Sequence, residues 1–85
     1  MSISDSVSGF MSSLTLNANG GNIEGQSTFQ VFAGGKVVLP SATKEGETFL
    51  GYSEDQNATT ATYQAGDTIT VTSDTTLYAI FSSEG

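Results

Sequence analysis

The chain has 85 residues, carrying nine acidic side chains against two lysines and a formal net charge of −7. That length holds one domain with a small core, and the absence of His, Cys, Trp and Arg removes disulfides, the thiolate nucleophile, the base that works near neutral pH and the preferred ligands of zinc. Catalysis, a metal and a cofactor are therefore not expected, and the acidity argues against nucleic acid or an anionic bilayer as partner.

The first ten residues carry no Lys or Arg and no sustained apolar run, so they do not read as a secretory signal, and nothing in the chain approaches the ~20 apolar residues of a membrane span. Either the protein stays where it is made without that export route, or the sequence is a piece of a larger secreted protein. Residues 1–13 are Ser-rich and are expected to form an N-terminal arm or linker. Its apolar spots Val7, Phe10 and Met11 make it a candidate to order against a partner protein.

From Leu14 the pattern changes to short alternating runs separated by Gly, Asn and Asp, which predicts strands and tight turns. Leu14 and Leu16 flank Thr15, and Asn19-Gly20-Gly21 predicts a hairpin turn. Phe29 and Val31 alternate with Thr28 and Gln30, Gly34-Gly35 breaks the run, and Lys36 to Leu39 is a strand closed by Pro40. Residues 41–46 predict one short helix or helical turn, with Ser41 as cap and Gly46 as stop. Phe49 to Tyr52 returns to strand, 54–61 is a polar loop, and Thr68 to Thr72 alternates strictly with its threonines facing water. Thr76 to Phe81 is almost wholly apolar, which predicts a central strand covered on both faces. Residues 82–85 are a tail.

The segments LTLNANGG (14–21), GGKVVLP (34–40), EGETFLGY (45–52) and AGDTITVTSDTTLYAIF (65–81), in this order and spacing, resemble the Listeria-Bacteroides repeat, the B-repeat type of internalin-like surface proteins. The resemblance spans residues 14–81 and implies a mostly β, small β-grasp-like mixed sheet, displayed on a bacterial surface as a spacer or binding repeat. It departs from the family at Tyr52 and Phe81, where that pattern tends to place Trp. Gly51 is expected where a ring or backbone approaches closely.

Polar candidates are weaker. Glu54, Asp55 and Asn57 supply oxygens of the kind calcium prefers, but without the spacing of a known calcium loop they read as a solvated turn. Asn57-Ala58-Thr59 fits the glycosylation acceptor pattern, which matters only in a glycosylating secretory context. Asp67 and Asp74 each precede Thr and are expected to accept local backbone N–H bonds rather than act as a catalytic pair. Among the apolar side chains, Phe29, Phe49, Tyr52, Leu77 and Phe81 are assigned to the core, leaving Phe32 and Tyr63 as surface contacts beside Val7, Phe10 and Met11.

Two functions compete on this reading. One is an accessory, decoration-type subunit docked on a larger assembly such as a phage virion, held through its N-terminal arm. The other is a single repeat, a spacer or adhesion module, of a secreted or cell-wall-anchored bacterial surface protein.

Overall fold

Alternation of side chains sets the strands. The computed structural model describes residues 11–32 and 34–83. In chain order the strands are β1 (Met11–Asn17), β2 (Asn22–Ile23), β3 (Thr28–Phe32), β4 (Gly35–Val38), β5 (Ala42–Thr43), β6 (Thr48–Ser53), β7 (Thr68–Val71) and β8 (Thr75–Ser82). In β1, Ser12, Leu14 and Leu16 are buried while Met11, Thr15 and Asn17 stay exposed, the period of two that a half-buried strand requires. In β7, Thr68 and Thr70 face water and Val71 is buried, as the alternation predicts.

Four strands form one sheet in the order β3-β1-β8-β6. β1 lies antiparallel to β3, with Leu14 opposite Phe29, and parallel to β8, with Leu16 beside Leu77. β8 in turn runs antiparallel to β6, with Ala79 opposite Tyr52. The sheet is therefore mixed, and β8 holds the interior place that its apolar run predicts. Leu77 and Ala79 point to one face of β8 and Ile80 to the other, and all three are buried.

Two ribbons, β2 with β5 and β4 with β7, complete the molecule. They bring Val37, Leu39, Ala42 and Val71 against Leu14, Leu16, Tyr52, Leu77 and Ala79 in one core cluster. Each fully buried large apolar side chain in it, such as Leu14 or Leu39, contributes about 1.5–3 kcal/mol relative to exposure. Phe29, Phe49 and Phe81 pack against the cluster while remaining partly exposed.

Residues 41–46 form no helical turn. Ala42 and Thr43 pair instead with Ile23 and Asn22, and the Ser41 carbonyl accepts the Glu24 N–H at 2.9 Å, so Ser41 is a ribbon partner and not a cap. Gly46 does reverse the chain, but at the third position of a β-turn: its φ is +81°, and the Glu47 N–H donates to the Lys44 carbonyl at 3.1 Å. Six residues gain too few helical hydrogen bonds to offset the cost of nucleation, and the burial of Ala42 in the core favours the extended form.

Two further differences concern β1. The Asn19-Gly20 turn is present, with φ of +53° and +95° and the Gly21 N–H donating to the Ala18 carbonyl at 2.9 Å. The strand that follows it, however, leaves to join β5, and the antiparallel neighbour of β1 is β3. Strand β1 also begins at Met11, inside the segment assigned to the arm, because Met11 and Ser12 pair with Phe32 and Val31.

Candidate interaction surface

Strand β6, at one edge of the sheet, is sealed by the chain's own loop. The Tyr52 N–H donates to the Tyr63 carbonyl at 2.8 Å, while the N–H groups of Thr62 and Tyr63 donate to the Tyr52 carbonyl at 2.8 and 3.0 Å. This strap is possible because residue 51 is glycine: its φ is +144°, and a Cβ there would lie 2.0 Å from the Tyr63 carbonyl oxygen. The close approach expected at Gly51 is thus made by backbone. Tyr63, expected as a surface contact, is half-buried and packs on the core cluster.

The opposite edge is different. Phe32, at the end of β3, is 57% exposed, and its cross-strand neighbour Met11 is 39% exposed. The two sequence candidates are therefore brought together as an apolar pair. Val7 and Phe10 lie outside the described residues. Val38, 61% exposed on β4, was not singled out from the sequence, although Val37 and Leu39 turn inward and the same alternation leaves Val38 outward.

The polar candidates are occupied by the fold. Asp55 Oδ1 accepts the Asn57 N–H at 2.9 Å, and Ser53 Oγ accepts the Asp55 N–H at 3.1 Å, so the loop is a side-chain-bonded turn. Among the described residues no three His, Cys, Asp or Glu side chains gather as metal ligands. Asp67 Oδ2 closes its own turn by accepting the Gln64 N–H at 2.9 Å. Asp74 does not act locally: its Oδ1 accepts the Ser13 N–H at 2.9 Å, tying the start of β8 to β1 across 61 positions of sequence. An open groove of about 500 Å³ follows β7, and its lining includes Glu54, Tyr63, Asp67 and Thr70, carboxylates and hydroxyls without a nucleophile–base pair.

Tyr52 is the most perturbed ionisable group. Its ring is fully buried, edge-on to Phe49 at 5.2 Å, and its hydroxyl donates to the Pro40 carbonyl at 2.7 Å. Burial, and secondarily the charge of Glu24, pushes its pKa up to about 12. The hydroxyl joins the sheet to the segment after β4, which is a structural role.

The family model of the Listeria-Bacteroides repeat domain matches residues 13–80. The chain belongs to this family. Listeria-Bacteroides repeats are structural modules typical of bacterial surface proteins and are not known for catalysis. No curated protein and no solved structure gives a significant match. No helix of the described residues is long and apolar enough to cross a membrane. In this repeat the tyrosine that replaces the expected Trp keeps a ring in the core and finds a partner for its hydroxyl, so the departure at residue 52 is absorbed by packing.

Proposed function

We propose that this repeat is a non-enzymatic module displayed at a surface, where it makes protein contacts through its β1–β3 edge. The observation that carries the reading is the Met11 and Phe32 pair: two large apolar side chains left exposed side by side on a chain short of core material. The family favours a repeat of a secreted or wall-anchored bacterial surface protein as the setting. The position of Met11 directly after residues 1–10, with Val7 and Phe10, favours a second setting, docking on a larger assembly such as a virion with the arm contributing to the same contact.

Co-sedimentation of the purified chain with isolated cell envelopes or particles of its source tests the contact. Replacing Met11 and Phe32 by Ser is expected to lower the bound fraction severalfold while leaving the melting temperature within a few degrees, since both side chains are partly exposed and lie outside the core cluster. Equal retention of the variant would remove the edge from the account. Retention on envelopes favours the cell-surface setting and retention on particles the decoration setting.

A further inference from the structure

Among the described residues no strand covers the outer edge of β3, where the Gln26 side-chain amide donates to the Thr28 carbonyl, and the strand's hydrogen-bonding groups can be assigned. The Leu16 N–H donates to the Ser27 carbonyl at 2.7 Å, which makes 16 and 27 a hydrogen-bonded pair in the β1–β3 ladder. Bonded and non-bonded pairs alternate in an antiparallel ladder, so Phe29 and Val31 turn their peptide groups to β1, while Thr28, Gln30 and Phe32 turn theirs outward. The Ser13 N–H agrees with this phase: it points away from Gln30, toward Asp74 at the start of β8. No other strand pairs with β3 among the described residues.

Edges of this kind are usually guarded by lysine, proline, a bulge or a covering loop. The segment Thr28–Phe32, TFQVF, has none of the residue guards and no bulge in its register with β1. It also sits within the longest acid-free stretch of a strongly acidic chain: residues 25–44, between Glu24 and Glu45, hold no carboxylate.

The geometry points to a second copy of this chain as the partner of that edge, with two β3 strands pairing antiparallel about a two-fold axis at Gln30. In this register Gln30 faces Gln30, Thr28 faces Phe32 and Phe29 faces Val31. All three outward-facing residues fall in hydrogen-bonded pairs once the exposed Gln26 amide yields the Thr28 carbonyl to the facing Phe32 N–H, and both mixed pairs match an aromatic with a β-branched side chain, a favoured cross-strand combination. No like charges meet on the strand despite the net charge of −7. The two four-stranded sheets would run on as one across the axis. Five residues of edge bury little area, so the association is weak, with a Kd on the order of 10–100 μM. Self-pairing goes beyond surface display and holds in either setting proposed for the module.

Sedimentation of the full chain over roughly 5–500 μM, a range bracketing that Kd, tests the pairing. A monomer–dimer equilibrium is expected, weakened about tenfold or more in Gln30→Lys, which sets two cations face to face on the axis. Thr76→Lys adds the same charge on an exposed position of the interior strand β8 and is expected to leave the equilibrium unchanged. A monomer at every concentration, or equal dimerisation of Gln30→Lys, overturns the proposal. Amide exchange supplies the second reading: Thr28, Gln30 and Phe32 N–H groups are expected to become protected as concentration rises. Protection independent of concentration would place residues 1–10 of the same chain on the edge and also overturn it.

Discussion

At the scale of single residues, two positions join the sheet to its surroundings. Gly51 lets the strap at Tyr63 reach β6, and Gly51→Ala places a methyl carbon well inside van der Waals contact distance of a backbone oxygen at a φ that L residues rarely adopt. Because the obstructing atom is backbone and not a flexible side chain, relief requires the strap to detach. The variant is expected to lose 3 kcal/mol or more, about the level of the severe backbone effects, and chemical denaturation measures it. Tyr52 gives a pH signature. Its folded pKa of about 12 lies above the unfolded value of 10, so the fold favours the neutral phenol. That contribution is complete below pH 10 and is lost as pH rises from 10 through 12, on the order of 2 kcal/mol in total. Tyr52→Phe is expected to cost about 1 kcal/mol at neutral pH, through the hydrogen bond to Pro40, and to flatten the alkaline fall in melting temperature. An alkaline limb of equal depth in the variant would assign the effect to other groups.

At the scale of elements, the parallel pairing of β1 and β8 depends on how their starts are joined. Asp74 supplies the acceptor for the Ser13 N–H at the point where β1 runs past the beginning of β8. Asp74→Ala is expected to reduce stability by about 1 kcal/mol and to raise amide exchange in β1, leaving β4 and β7 unaffected. How far the sequence reveals these elements depends on run length. Thr28 to Phe32 and Thr68 to Val71 were legible because four or five alternating positions fix both the strand and its inward face, and the same alternation placed Phe29 inward and Phe32 outward. Residues 41–46 were not: a cap-like Ser and a stop-like Gly fit a helical turn as well as a ribbon, and Ala42–Thr43 is too short to show a period. The half-burial of Tyr63 was not legible for a related reason, since a lone aromatic among polar neighbours has no phase, and its packing comes from a long-range strap. The mixed pairing rested on resemblance rather than pattern, because alternation marks a strand without choosing its neighbours.

At the scale of the whole molecule, charge and size set the terms. One ion pair is found among the described residues, Lys44 with Glu47 at 3.2 Å, with both side chains partly exposed, so attraction between opposite charges adds little. The net charge of −7 instead opposes compaction. Raising salt from about 10 to 200 mM, which shortens the screening length from roughly 30 to under 10 Å, is therefore expected to increase the melting temperature, the reverse of a fold held by ion pairs. Without disulfides, such a domain has only its one core to rely on. The central claim is thus that the repeat works displayed, with its edge and faces open to other proteins. Immunogold labelling of intact, unpermeabilised source cells or particles with antibodies to residues 11–83 tests this most directly. Dense label on the intact surface is the expected result, and label that emerges only after lysis would contradict it.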